Sequence, residues 1–411
     1  MTSFKYVVLG GGMVAGYAAR EFVERGVSRG ELAIVSTDDA LPYERPPLSK
    51  GFLKGSETEE SVFINDAAFY SANGIEVRLK TPVERADLIN RKLYLRGGGE
   101  WRFDKLLIAT GSRARTLQVP GAELDGVLYL RTLDDSRRIR DRAAAGSRAV
   151  VIGAGFIGME AASSLAQRGL EVTLVLAEER MWQRLFTPEI SAFFRGYYEA
   201  RGVKVLVNTQ VSGLNGRDRV ESVSTAKGER LPAGLVVAGI GVTPETALFE
   251  NTGAAIDNGV LVNQFLETSV PGVYAAGDVA NYRDTLFNRQ RRVEHWDNAV
   301  AQGQHAARVM TGLREPFEHV PYFFSDVFDL SYEFWGDSSA ADRIVTRGSP
   351  TGASFSVWWL LDGHLAAAFV MARPEEEREL AQECIRTREP VSADALADAS
   401  RPLERAHGGS V

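Results

Sequence analysis

The sequence predicts an α/β fold with two parallel-sheet domains and a third, α+β domain at the C-terminal end. Two glycine turns and one change of texture carry that prediction. The first turn is Gly10-Gly11-Gly12-Met13-Val14-Ala15-Gly16, directly after the apolar run at 6–9. The second is Gly153-Ala154-Gly155-Phe156-Ile157-Gly158, directly after the apolar run at 149–152. Each falls where a strand gives way to a helix, and an acidic residue (Asp38, Glu178) follows about 20 residues on, at the end of a second strand. The texture changes near Pro316, beyond which the chain becomes β-rich and aromatic.

The elements follow in order. The first unit reads as a strand at 6–9, a helix at 15–25 closed by Gly26, and a strand at 31–36. Three prolines between Leu41 and Lys50 exclude a regular helix or central strand there and predict a stiff, charged ligand wall. Residues 76–96 alternate around Asn90 like a small hairpin layer. Leu106-Leu107-Ile108-Ala109-Thr110-Gly111 reads as a buried strand ending in a tight turn. A second βαβ unit opens at Arg148, with its helix around Met159–Ala162 in sequence and its next strand at 172–176. A further buried strand at 235–240 ends in Gly239-Ile240-Gly241. Residues 260–262 and 272–278 read as a strand pair closing a site. A helix is expected from about Asn298 to Met310, capped by Asp297 or Asn298 and ended by Gly312. The Ala-, Asp- and Arg-rich stretch after Pro390 reads as a loose arm.

Composition narrows the function. A chain of 411 residues is too long for one typical domain. The net charge of −7 argues against nucleic acid as a partner. The single cysteine, Cys384, rules out an internal disulfide and any dithiol relay. No stretch approaches the roughly 20 apolar residues of a membrane span, and the N-terminal apolar run lacks a signal-peptide pattern. A cytoplasmic protein, monomer or homodimer, is the expectation.

The motifs together resemble the two-dinucleotide flavoprotein reductases of the glutathione-reductase-like superfamily. Gly10-x-Gly12-x-x-Ala15, Ala109-Thr110-Gly111, Gly153-x-Gly155-x-x-Gly158-x-Glu160 and Ala275-Ala276-Gly277-Asp278 carry the resemblance. Tyr43-Glu44-Arg45-Pro46-Pro47-Leu48-Ser49-Lys50 is similar to its cysteine-free branch, which holds ferredoxin, rubredoxin and putidaredoxin reductases, apoptosis-inducing factor and plant monodehydroascorbate reductases. Arg184-Leu185-Phe186-Thr187 and Arg292-Val293-Glu294-His295 look most like the monodehydroascorbate reductases. The resemblance implies two Rossmann-like domains. A FAD-binding domain would comprise 1–112 and 241–314, with an NAD(P)H-binding domain at 113–240 between its parts. A C-terminal interface domain with a tail would occupy 315–411.

Roles follow from that resemblance. Gly10, Gly12 and Ala15 would cradle the FAD pyrophosphate at a helix N-terminus, and Asp38 would hold the adenosine ribose. Arg45, Lys50, Thr110, Gly111, Glu294, His295 and Trp296 would line the flavin, and Asp278 would hold its ribitol chain. His295 is given no acid–base work, and Trp296 reads equally as core packing. Lys50 would pair with Glu160 as the catalytic couple, so that the buried cation is not left alone. The helix near Asn298 would aim its positive end at the flavin pyrimidine edge. Gly153, Gly155, Ile157, Gly158 and Gly241 would bind NAD(P)H. Phe156 would either shield the flavin or pack the helix start. Glu178 favours NADH by bonding the ribose hydroxyls and repelling a 2′-phosphate. Arg180 and Arg184 lie close enough in sequence to soften that preference towards NADPH.

The acceptor is read from what is missing. Without a cysteine near Ala40–Lys50 in sequence, electrons leave the flavin directly, which suits an iron–sulfur protein, a radical or a quinone. The arginine, tyrosine and second arginine expected of a monodehydroascorbate reductase are Val300, Phe324 and Asp326 here. Ser325-Asp326 follows the ferredoxin-reductase pattern. Arg283, Arg289, Arg291 and Arg292 would steer an acidic ferredoxin, or else form a solvated basic loop in which one or two serve FAD. The expected activity is NADH-dependent FAD reduction with a ferredoxin-like protein as acceptor. The alternatives are a small-molecule radical acceptor, as in monodehydroascorbate reductase, and a redox-signalling flavoprotein.

Overall fold

The computed structural model describes residues 2–183 and 185–403. The chain divides into two compact units. One comprises the chain up to Pro46, Thr58–Arg113 and Val242–His319; the other comprises Pro47–Glu57, Ala114–Gly241 and the chain from Val320.

The first unit is organised by a parallel sheet. Thr2–Leu9 lies between Leu32–Val35 and Gly99–Ile108, with Glu76–Arg78 beyond the former and Val273–Ala275 beyond the latter. Val7, Val8, Ile34, Leu106 and Leu107 are wholly or almost wholly buried. Such continuous apolar strands are what a sheet covered on both faces requires. Two helices pack on it, Met13–Glu24 and Trp296–Met310. A hairpin, Val83–Asp87 with Lys92–Leu95, extends from the N-terminal part of Gly99–Ile108.

Three expectations need correction here. The hairpin layer begins at Val83, because Glu76–Arg78 pairs in parallel with Leu32–Val35 and belongs to the main sheet. Val260–Val262 and Val273–Ala275 do not pair with each other: the former joins Ala280–Asp284 and the latter joins Gly99–Ile108. The late helix starts at Trp296 with His295 as its N-cap residue and no side-chain cap, so neither Asp297 nor Asn298 caps it.

The second unit holds a five-stranded parallel sheet in the order Lys204–Leu206, Glu171–Val175, Arg148–Ile152, Leu235–Ala238, Val127–Tyr129. The helix Phe156–Gln167 follows its central strand. A five-stranded antiparallel sheet, from Tyr322–Val327 to His364–Met371 in sequence, carries the aromatic C-terminal part.

The stretch after Pro390 is not a loose arm over its described length. Arg347 is 2% exposed and sits on an inward slot of the strand Arg343–Gly348. Its Nε donates to Glu377 Oε1 at 2.8 Å, and its terminal nitrogens donate to the carbonyls of Leu396, Asp398 and Arg401. Glu377 also accepts from Arg373 at 2.7 Å and from Ser356 Oγ at 2.9 Å. A buried guanidinium needs several acceptors, and the chain's last described residues supply three. Arg347→Leu should therefore lower stability by about 3 kcal/mol, as for one partner of a buried ion pair. It should also speed tryptic cleavage after Arg386 and Arg388; an unchanged digestion pattern would refute the tie.

Candidate functional site

In the first unit, the glycine turn joins the central strand to the helix Met13–Glu24. Gly10 has φ +128°, and a Cβ there would overlap the Ala109 carbonyl oxygen. Gly12 is the N-cap residue, and a Cβ on it would meet only Arg45 Nη2, at 3.7 Å. Ala15 is fully buried. The helix has no side-chain cap and no acidic residue in its first turn. Its leading N–H groups are thus available to an anion in a space no side chain fills.

The late helix Trp296–Met310 runs beside this one in the same direction. A Cβ on Gly303 would lie 2.9 Å from the Val14 carbonyl oxygen, and Arg308 Nε donates to Glu21 Oε1 at 2.8 Å, five and seven residues further along the two helices. Its N-terminus therefore projects beyond that of the first helix by about 6–9 Å, at 1.5 Å per residue. The two positive helix ends therefore face the same way, which suits an anionic ligand.

Polar side chains gather around these ends. Asp278 is 9% exposed, and Ser112 Oγ donates to its Oδ2 at 2.7 Å. Thr110 Oγ1 donates to the Glu245 carbonyl at 2.8 Å, and Glu245 N–H donates to the Gly111 carbonyl at 3.0 Å. Glu44 accepts from Trp296 Nε1 and from the Tyr17 hydroxyl, each at 2.5 Å. Burial, then that carboxylate, pushes the Tyr17 phenol well up. Dense packing around the His295 ring pushes its pKa down to about 4, so the imidazole is neutral at neutral pH. Glu294 pairs with Arg292. Asp38 accepts from the Tyr43 hydroxyl at 2.8 Å and remains half-exposed. Asn298 Oδ1 and Gln302 Nε2 are buried and have no hydrogen-bond partner among the described residues. A cradle open at Gly12 and two such orphaned polar atoms fit a dinucleotide.

In the second unit, the second glycine turn repeats the first. Gly153 has φ +99° and a Cβ there would overlap the Gly239 carbonyl, whereas a Cβ on Gly155 would meet nothing within 4 Å. Gly158 packs against the Gly153 carbonyl. The helix Phe156–Gln167 again lacks a side-chain cap. Ile157 on its first turn is 40% exposed, an unusual position for a large apolar side chain unless a ligand covers it. Phe156 packs edge-on against Phe323 with centroids 4.5 Å apart, so helix packing accounts for part of its role. Gly241 has φ +97° and accepts from Arg115 N–H at 2.9 Å.

Glu160 lies one turn into that helix and is 4% exposed. Lys50 Nζ approaches its Oε1 at 2.6 Å, and the same oxygen accepts from Ser325 Oγ at 2.6 Å. Ser49 Oγ donates to Oε2. The predicted pair thus meets, with two serines that sequence reasoning did not assign. Ser325 carried a signal: it occupies an inward slot between Phe323 and Val327 on an alternating strand. Ser49 and Ser112 carried none. The lysine ammonium also lies 5.5 Å from the Phe324 ring centroid.

Glu178 is exposed at the end of Glu171–Val175, and its carboxylate has no partner among the described residues. Arg180 directs its guanidinium into its own loop, onto the carbonyls of Gln183 and Phe186 and onto Ser191 Oγ. Arg184 lies outside the described residues. Of the four arginines expected to steer a partner, Arg291 pairs with Asp284 at 3.4 Å, and Arg292 donates to the Asp278 carbonyl at 3.1 Å. Arg283 and Arg289 remain exposed. Arg45 belongs to the first unit and Lys50 to the second, because the unit boundary falls after Pro46.

Comparison with known proteins agrees with both turns. The sequence model of the pyridine nucleotide-disulphide oxidoreductases matches residues 4–303, and that of a reductase C-terminal domain matches residues 322–407. The chain belongs to the pyridine nucleotide-disulphide oxidoreductase family. It is an NAD(P)H-dependent flavoprotein oxidoreductase that uses FAD. It is 39% identical to a peroxisomal monodehydroascorbate reductase 4 of Arabidopsis thaliana, over 95% of this chain and 84% of that protein. It is 37% identical to a cytosolic monodehydroascorbate reductase 4 of Oryza sativa subsp. japonica, over 95% of each. Among solved structures it resembles putidaredoxin reductase in its covalent complex with putidaredoxin (TM-score 0.93, 33% identity, 98% of this chain and 97% of that one). It also resembles the ferredoxin reductase of the CYP199A2 system from Rhodopseudomonas palustris (TM-score 0.92, 33% identity, 96% and 98%). Its one cysteine, Cys384, is buried on the helix Glu375–Thr387, so no internal disulfide can form. No helix among the described residues is long and apolar enough to cross a membrane.

The Glu160 cluster gives a direct test. Lys50→Met leaves a buried carboxylate with hydroxyl donors only and should destabilise the holoprotein by about 3–5 kcal/mol, whereas the double variant Lys50→Met/Glu160→Gln should recover much of that loss. Additive losses in thermal unfolding would show that the two side chains do not act as a pair.

Proposed function

We propose that the protein is an NADH-dependent FAD reductase that passes electrons one at a time to a ferredoxin-type iron–sulfur protein. FAD, when bound, supplies the chemistry that accepts a hydride and releases single electrons. The residues do the rest. The amides at Gly12 and Gly155 hold the two pyrophosphates. Asp38 and Glu178 take the adenosine ribose hydroxyls, and Asp278, oriented by Ser112, takes the ribitol chain. Thr110, Gly111 and Gly241 give close-approaching backbone. The ammonium of Lys50, fixed by Glu160, favours the electron-rich reduced ring.

The strand Tyr322–Val327 carries the choice of acceptor. Ser325 turns inward onto Glu160, while Phe324 and the exposed Asp326 offer neither a phenol nor a cation to hold a small anionic radical. The exposed Arg283 and Arg289 on the hairpin Ala280–Asp284 with Arg289–Arg291 would instead attract an acidic protein partner. The putidaredoxin complex of a structural neighbour supports the same reading. Monodehydroascorbate reduction is the second reading, favoured by the identities of 39% and 37% to plant enzymes of that name. We place the protein in the cytoplasm, where its single buried thiol needs no oxidising compartment.

Stopped-flow turnover at matched NADH, with ferredoxin and with monodehydroascorbate radical as acceptors, decides between the two. Ferredoxin reduction should be faster by at least about tenfold, a difference of about 1.4 kcal/mol in barrier; faster radical reduction would reverse the assignment. Glu178→Ala should shift the NADPH-to-NADH preference about tenfold towards NADPH. Cys384→Ser should leave turnover intact, and a dead enzyme would reveal a thiol step.

A further inference from the structure

We propose that Arg180 is a positioning residue for nicotinamide cofactor choice, acting through Glu178 and not on the nucleotide itself. This rests on the reading of Glu178 as the ribose-binding carboxylate.

The loop from Glu178 to Thr187 in sequence is closed on itself. Arg180 Nη1 donates to the Phe186 carbonyl at 2.6 Å and to Ser191 Oγ at 3.0 Å, and Nη2 donates to the Gln183 carbonyl at 3.1 Å. Ser191 sits on the helix Pro188–Glu199, is 2% exposed, and donates to the Met181 carbonyl at 2.7 Å. Gln183 Oε1 in turn accepts from Glu179 N–H at 3.1 Å. The guanidinium thus bridges both sides of the loop and its following helix. The residue beside Glu178 donates to the side chain of Gln183, whose backbone carbonyl Arg180 holds.

The strain in the loop shows why a tie is needed. Trp182 has φ +48°, a backbone state costly for a bulky residue, and its ring is buried between Phe186 and Phe194. Such a conformation persists only where its surroundings over-determine it. Together with Asn208 N–H, which donates to the Glu178 carbonyl at 2.9 Å, these ties fix the backbone from which the exposed Glu178 carboxylate would reach two adjacent hydroxyls. With the Arg180 fork turned inward, a 2′-phosphate would meet that carboxylate without help from the neighbouring cation. Discrimination then comes from where two side chains point, and a count of nearby basic residues misreads it.

A double-mutant cycle tests this on FAD-loaded protein, with NAD+ and NADP+ dissociation constants from calorimetry. Arg180→Gln should weaken NAD+ binding about tenfold when Glu178 is present and less than about twofold in the Glu178→Ala background, with NADP+ binding unchanged in both. In steady state, the NADH KM should rise while kcat holds. Arg180→Lys, which keeps the charge but loses the fork, should behave like Arg180→Gln, and it replaces that variant if the latter fails to fold. Selective loss of NADP+ binding in the Glu178→Ala background would show that Arg180 reaches the phosphate and would overturn the proposal. Equal NAD+ losses in both backgrounds would overturn it as well. If Glu178→Ala itself leaves NAD+ affinity unchanged, the ribose assignment fails instead.

Discussion

One buried carboxylate organises the second unit. Glu160 sits where a helix that binds a nucleotide would need small apolar neighbours, and ionising it there is costly unless donors surround it. Lys50 and Ser49 come from a short segment more than 100 residues earlier, and Ser325 from a strand more than 160 residues later. Three stretches remote in sequence are thus fixed to one side chain. Nonpolar contacts alone would allow them to slide; directed bonds to two oxygens do not.

The first unit solves a different problem with similar means. A pyrophosphate needs exposed N–H groups and no competing side chain. The turn at Gly10 meets that need by placing a residue where any Cβ would strike the neighbouring strand, and the helix beyond it is left uncapped. The second turn repeats the solution at Gly153 and Gly155. The two turns therefore share one local geometry, an acidic residue following each about 20 residues on.

That repetition is why so much was readable beforehand. Glycine positions and strand hydrophobicity leave strong local traces, because only a few residue types satisfy them, whereas the Lys50–Glu160 pairing came from the family resemblance. What escaped was set by tertiary contact. The partner of Arg180 could not be read, since an arginine near a carboxylate looks alike whether it faces a ligand or its own loop. Arg291 and Arg292 looked like a surface patch for the same reason. The stretch after Pro390 has a disorder-prone composition, yet a single guanidinium in the sheet holds its carbonyls. Arg347 itself was legible in hindsight: a charged residue in an inward slot of an alternating strand must have a partner.

The tie at Arg347 has a consequence for how the protein is made. Its backbone acceptors lie 49, 51 and 54 residues after it, so the C-terminal sheet is left with an unsatisfied cation until that stretch has been made. The first unit waits too, since Val273–Ala275 and the helix Trp296–Met310 emerge late. The first unit needs nothing beyond His319, whereas the second still lacks the acceptors of Arg347 at that point. A stall before Leu396 would therefore leave the second unit without the carbonyls that hold its buried guanidinium, after every residue of the first unit has been made.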